Sequence, residues 1–114
     1  MNQRLKDEMK EVIRLISIER KLKWLTVTPE EADFVRRLAE KKRLPRAEYV
    51  FGCMNLYGIG VEADRVVAMK YLARSSRHGS YELQIKIAYI YHIQGEFNKI
   101  RKCLEKALQD CKRM

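Results

Sequence analysis

The chain has 114 residues, 46% of them hydrophobic and 34% charged, with a formal net charge of +9. A chain of this length and hydrophobicity folds as one domain with a modest core, which excludes an intrinsically disordered protein and removes the need for a disulfide or metal. The excess of basic over acidic residues favours an acidic partner, which would be an acidic protein surface, a nucleic acid or an anionic membrane.

A first helix is predicted over residues 3–23, where apolar residues recur at the spacing of a single helical face: Leu5, Met9, Val12, Ile13 and Ile16. A start signal follows. Thr28 is a predicted N-cap, Pro29 occupies the first helical position, and Glu31 stands three residues after the cap. Helix two is therefore expected from about 29 to 42, with four buried residues: Ala32, Val35, Leu38 and Ala39.

Four further helices are predicted between turn signals, at about 45–57, 64–77, 80–93 and 96–114. Gly58 and Gly60 end helix three, and Asp64 is the predicted N-cap of helix four. Gly79 and Gly95 end helices four and five. Helix four is expected to turn four side chains inward: Val67, Ala68, Tyr71 and Leu72.

Two of these segments repeat. AEYVFGCMNLYG and LQIKIAYIYHIQ align at an offset of 36 residues, so that Phe51-Gly52 falls on Ile87-Ala88, a large residue followed by a small one. The small residues are expected at close helix–helix contacts. The helices that follow align at an offset of 32, which indicates a shorter second loop. This repeat also favours a helix over the strand that alternating apolar residues permit at 84–91.

The first copy resembles the Sel-one-like repeat family, relatives of the tetratricopeptide repeats, at these positions: Ala47, Phe51, Gly52, Gly58, Gly60, Val61, Asp64, Ala68, Tyr71, Leu72 and Gly79. The second copy keeps fewer: Leu83, Ile87, Ala88 and Tyr91. The resemblance implies an all-α fold, a short α/α solenoid or tetratricopeptide-like superhelix of about six helices in three antiparallel pairs.

The same resemblance implies one helical-repeat domain over residues 1–114. Residues 1–46 would be an N-terminal capping helix pair or a degenerate repeat. Residues 47–79 would form the full repeat, and residues 80–114 a second, shortened one.

Catalysis and cofactor binding are not expected. A phosphate-binding loop follows a strand and ends in GK[ST] at a helix start, and the segment around Gly58 and Gly60 meets neither condition. These glycines are interpreted as turn residues. His78 and His92 lie far apart in the pattern, and no serine or cysteine has a base beside it.

The cysteines and the N-terminal segment indicate the cellular compartment. Cys53, Cys103 and Cys111 are an odd number without a CxxC pair, which indicates reduced thiols and no zinc site. The N-terminus lacks the apolar segment of a signal peptide, and no apolar run reaches transmembrane length. A cytoplasmic protein without a membrane span is therefore expected.

A binding surface is implied by the family, because the first helix of each tetratricopeptide repeat lines a concave groove. The corresponding residues, the groove residues, are Arg46, Tyr49, Cys53, Leu56 and Tyr57 in the first repeat and Glu82, Ile85, Tyr89, His92 and Ile93 in the second. An exposed stripe of this composition is a protein or peptide site. The alternative is that helices one and two or the last helix cover much of it.

Two functions follow from these patterns. The resemblance implies a non-catalytic adaptor that binds an acidic partner protein, because the family assembles complexes and serves in bacterial regulation, secretion or host interaction. The alternative is a basic nucleic-acid-binding regulatory protein, which rests on the net charge and on runs such as RKLKW and KKRLPR. The exposed ends of a short solenoid also make self-association an expectation.

Overall fold

A computed structural model describes residues 2–112, which form six α-helices, one short 3₁₀ helix and no strand. The α-helices are α1 (Gln3–Lys21), α2 (Pro29–Glu40), α3 (Pro45–Tyr57), α4 (Arg65–His78), α5 (Tyr81–Ile93) and α6 (Phe97–Lys112), and the 3₁₀ helix Leu22–Trp24 continues α1. The predicted all-α fold of six helices packed in adjacent pairs is confirmed. Residues 113 and 114 of the predicted sixth helix lie outside the described residues.

The starts of α2 and α4 are fixed by side chains that accept hydrogen bonds from free backbone N–H groups. Thr28 Oγ1 accepts from the Glu31 N–H at 3.2 Å, and Glu31 Oε1 accepts in return from the Thr28 N–H at 3.1 Å, so both predicted members of the capping box are present. Asp64 Oδ1 accepts from the Val67 N–H at 3.1 Å and caps α4 as predicted.

The repeat seen in the sequence is present in the fold as two successive helix hairpins. α3 begins at Pro45 and α5 at Tyr81, 36 residues later, whereas α4 begins at Arg65 and α6 at Phe97, 32 residues later. α3 packs most extensively on α4, and α5 on α6. Both sequence offsets are therefore reproduced by the helix boundaries.

Gly52 marks the closest approach inside the first hairpin. A Cβ placed on Gly52 would lie 2.8 Å from Leu72 Cγ and 3.3 Å from the Ala68 carbonyl oxygen, distances at which side chains clash. Leu72 is fully buried there. The predicted tight contact at residue 52 is confirmed. Ala88, its counterpart on α5, is also buried.

Two apolar clusters make up the core, and α3 contributes to both. The first joins α2 to α3 and α4 and contains all four side chains predicted to be buried on α2; its Phe51 and Tyr71 rings meet edge to face at 5.0 Å. The second joins α3 and α4 to α5 and α6 and contains Leu72 and Ile87. Of the side chains predicted to face inward on α4, Val67 is only partly buried.

The two glycines after α3 serve the turn. Gly58 and Gly60 have φ values of +68° and +73°, in the left-handed region that L side chains rarely adopt, and Gly60 also lies against Val27. The interpretation of both glycines as turn residues is confirmed.

Buried polar side chains hold neighbouring helices together. Ser75 Oγ donates to the Pro45 carbonyl at 2.7 Å, which holds the end of α4 on the start of α3. Gln84 Nε2 lies within 3.1 Å of the carbonyl oxygens of Ser76 and Gly79 and 3.0 Å from Asp110 Oδ2. This one amide therefore contacts the end of α4 and the end of α6 from α5.

α1 is packed differently from the other helices. Leu15 and Ile18 are its buried residues, whereas the residues of the predicted apolar face are all exposed: Leu5, Met9, Val12, Ile13 and Ile16. The sequence pattern identified an apolar face correctly, but that face points away from the core. The contact with the rest of the protein is made by the two buried residues, Leu15 and Ile18.

The α3–α4 contact yields a stability prediction. Gly52→Leu forces a side chain into space already filled by Leu72 and is expected to lower the free energy of unfolding by about 1–3 kcal/mol or more. Gln109→Leu, at an exposed position of α6, is the matched control and should leave stability nearly unchanged. Thermal unfolding followed by circular dichroism measures both. Equal melting temperatures for Gly52→Leu and the wild type would contradict the packing described.

Candidate functional site

The groove residues lie on α3 and α5, which are adjacent in the fold, but they do not form one open surface. Cys53 is buried. Arg46, Tyr49 and Leu56 are half-buried. The remaining six are exposed: Tyr57, Glu82, Ile85, Tyr89, His92 and Ile93. The exposed part is therefore mostly the contribution of the second repeat.

Four of the exposed groove residues are large and apolar. Ile85, Tyr89 and Ile93 follow one another at intervals of four residues along α5, which places them on one face of that helix. Tyr57 at the end of α3 is also exposed. These four, called the exposed row below, have between 50% and 66% of their surface open to solvent.

The C-terminal end of α1 covers the first half of the predicted groove. Glu19 Oε1 accepts a hydrogen bond from Arg46 Nε at 2.7 Å, and Glu19 Oε2 lies 3.9 Å from Lys86 Nζ, so α1 is held against both α3 and α5. Leu22 packs against both apolar clusters. The sequence left open whether the groove is covered or exposed. The structure shows both: α1 covers the end of the groove near Arg46, and the exposed row is open to solvent.

In the covered part, burial shifts the pKa values of two side chains and a hydrogen bond shifts that of a third. Burial raises the pKa of the Cys53 thiol to about 12 and also raises the pKa of the Tyr49 hydroxyl. The hydrogen bond to Glu19 raises the pKa of the Arg46 guanidinium. Cys53 is thus a neutral packing residue at physiological pH.

Within residues 2–112, no three or more His, Cys, Asp or Glu side chains are gathered closely enough to hold a metal ion. His78 and His92 are both exposed and stand on different helices. In the same part of the chain, no helix has the length and apolar character needed to cross a bilayer.

Two clefts lined by cations lie away from the groove. The cleft between α1 and α2, about 510 Å³, is lined by Lys10, Glu11, Arg14, Phe34, Arg37, Leu38, Lys41 and Lys42. The cleft between α4 and α6, about 350 Å³, is lined by Ala73, Ser76, Arg77, Tyr91, Lys99, Lys102, Cys103 and Lys106. The sequence runs KKRLPR and KIRKCLEK contain several of these cations. Only the fold brings Arg14 and Arg77 beside them.

Cysteine reactivity is a direct test of this geometry. Cys111 is exposed, whereas Cys53 and Cys103 are buried and their pKa values are raised mainly by burial. Iodoacetamide at about pH 8 should therefore alkylate Cys111 alone in the folded protein. All three thiols should react after unfolding, which is the control. Mass spectrometry locates the adducts, and rapid modification of Cys53 in the folded protein would contradict its coverage.

Comparisons of the chain with protein-family models, with curated proteins and with solved structures gave no match. The resemblance to the Sel-one-like repeats therefore rests on the residues that carry it.

Proposed function

We propose that this protein is a non-catalytic interaction adaptor, which binds a partner protein or peptide along the exposed row. The observation that supports this proposal is that Tyr57, Ile85, Tyr89 and Ile93 expose large apolar side chains on two neighbouring helices. Such patches on a monomer mark interaction sites, and tyrosine is enriched among the residues that dominate binding energy. A partner covering the row would remove this apolar surface from water.

The resemblance supports the same surface. In the tetratricopeptide relatives the first helix of each repeat lines the binding groove, and α3 and α5 hold that position here. The proposed contact set is the four large apolar members of the ten groove residues that are exposed. Cys53 is buried and Tyr49 is half-buried under α1, so both support the surface from below and the exposed row provides the contact.

An acidic partner fits the charge of the chain. The net charge of +9 produces a positive field that accelerates the approach of an acidic protein, while the exposed row provides contacts that salt does not screen. The adaptor proposal therefore assigns association rate to charge and complex lifetime to the apolar side chains.

Removing the two tyrosines of the row tests this proposal. Tyr57→Ala with Tyr89→Ala is expected to weaken partner binding by about 2 kcal/mol or more for each ring, because exposed aromatic anchors carry most interface energy. The measurement is affinity capture from nuclease-treated native lysate, followed by binding titration with the captured protein. Nuclease treatment removes partners bridged by nucleic acid.

Val66→Ala is the matched control, because Val66 is an exposed apolar residue on α4, outside the row. It should leave capture unchanged. Circular dichroism should show folded protein for all variants. Undiminished binding by the tyrosine variant would refute the row as the contact surface.

Nucleic-acid binding is the second candidate, favoured by the cleft between α4 and α6. Its lining contains Arg77, Lys99, Lys102 and Lys106 and no acidic residue. Lys106 Nζ approaches the carbonyl oxygen of Arg77 at the end of α4. Four cations around the partly aromatic wall formed by Tyr91 resemble the composition of phosphate-tracking surfaces.

Salt dependence separates the two functions. A nucleic acid held by these four cations would lose on the order of a hundredfold in affinity when the salt concentration rises fourfold, because each phosphate contact releases a counterion. A partner anchored by the exposed row should lose far less. Fluorescence anisotropy with a labelled single-stranded oligonucleotide gives the slope. Lys99→Glu with Lys102→Glu should abolish oligonucleotide binding if the cleft is the site, and Tyr57→Ala should leave it intact.

A further inference from the structure

The outward face of α1 is an apolar stripe that the fold leaves uncovered. Leu5, Met9, Val12, Ile13 and Ile16, called the α1 stripe, are between 36% and 63% exposed. They extend along about 17 Å of the helix. The backbone of α1 approaches the other α-helices only weakly, so the stripe stands on the outside of the protein. An apolar stripe of this extent is a contact surface.

Unpaired cations line one edge of the α1 stripe. At 100° per residue, Lys6 and Lys10 follow Ile13 around the helix, and Arg20 lies within the arc of the stripe near its Ile13 edge, about two turns further along the helix. None of these three cations forms an ion pair with any residue from 2 to 112. Their charges are available to an outside partner.

The acidic residues of α1 are already engaged and lie away from this edge. Glu11 pairs with Lys42, Glu19 pairs with Arg46, and Glu8 lies 3.3 Å from Arg4. Asp7 accepts a hydrogen bond from Gln3 at 2.9 Å. The basic edge of the stripe is therefore not neutralised from within the helix.

The basic edge continues into the body of the protein. Lys10 also lines the cleft between α1 and α2, where Arg14, Arg37 and Lys41 stand nearby and Arg14 lies 4.2 Å from the centre of the Phe34 ring. The α1 stripe is thus bordered on the same helix by three basic residues: Lys6, Lys10 and Arg14. This combination is that of an amphipathic helix lying in the interface of an anionic membrane.

We infer that α1 docks on an anionic lipid surface, with the α1 stripe entering the headgroup–acyl boundary and Lys6, Lys10 and Arg20 meeting lipid phosphates. Basic side chains beside an apolar helix face reach outward to the headgroups in this arrangement. A protein carrying +9 is also drawn to such a surface from a distance. This docking is independent of the exposed row on α3 and α5.

A second copy of the chain fits the stripe less well. In an antiparallel pairing of two α1 helices, the basic edge of one would face the basic edge of the other. In a parallel pairing it would face Glu8 and Glu19, which are occupied by Arg4 and Arg46. An anionic surface neutralises all three free cations at once.

Vesicle flotation tests the inference with the full-length protein. Vesicles of phosphatidylcholine with about 30 mol% phosphatidylserine should carry the protein to the top of the gradient, and vesicles of phosphatidylcholine alone should carry much less. Lys6→Glu with Lys10→Glu should lower the affinity for the anionic vesicles by at least about fivefold for each removed cation. Failure of the wild type to float with anionic vesicles would overturn the inference.

The apolar contribution needs its own variant. Met9→Asp with Ile13→Asp places charges on the stripe and should abolish flotation, while circular dichroism shows the fold retained because both side chains are exposed. Val66→Asp, an exposed apolar residue of α4, should float like the wild type. Equal flotation of the stripe variant would overturn the inference. A second result would also overturn the inference. If light scattering shows that the wild type is a dimer which the stripe variant dissociates, and the wild type does not bind vesicles, then a second copy of the chain occupies the stripe.

Discussion

The close approach of α3 to α4 at Gly52 is the constraint on which the arrangement depends. Leu72 fills the space where any other residue at position 52 would carry its Cβ, so the two helices lie nearer than ordinary side chains permit. α3 also packs on α2 and borders α5, and it contributes to both apolar clusters. The position of this one hairpin therefore sets where the α2 side and the α5–α6 side of the molecule can pack.

The packing of α1 decides which surfaces stay open. Only Leu15 and Ile18 of this helix are buried, and Glu19 attaches its end to Arg46. As a result α1 covers the first half of the groove and leaves the exposed row free, while its own apolar stripe faces solvent. The exposed row on α3 and α5 and the α1 stripe therefore both remain open to solvent.

The sequence was sufficient to place the candidate groove on α3 and α5, but not to predict which of its residues are exposed and which are buried. Cys53 and Tyr89 occupy corresponding stripes on α3 and α5, yet the first is buried and the second is 66% exposed. The difference comes from Leu22 and Glu19, which approach α3 from a distant part of the chain. Helical periodicity describes a single helix and contains no information about which neighbour covers it.

The local features were determined by the sequence itself. The capping box at Thr28 and the turns at Gly58 and Gly60 depend on residues within a few positions of each other, and the repeat offsets follow from where such local signals stand along the chain. The fold reproduces all of them. Only the tertiary structure decided which face of α1 packs against the core. The predicted apolar face of α1, led by Leu5 and Ile13, is exposed, and Leu15 and Ile18 pack instead into the cluster that α1 shares with α2, α3 and α4. Burial depends on the shape of the partner surface as well as on the hydrophobicity of the face.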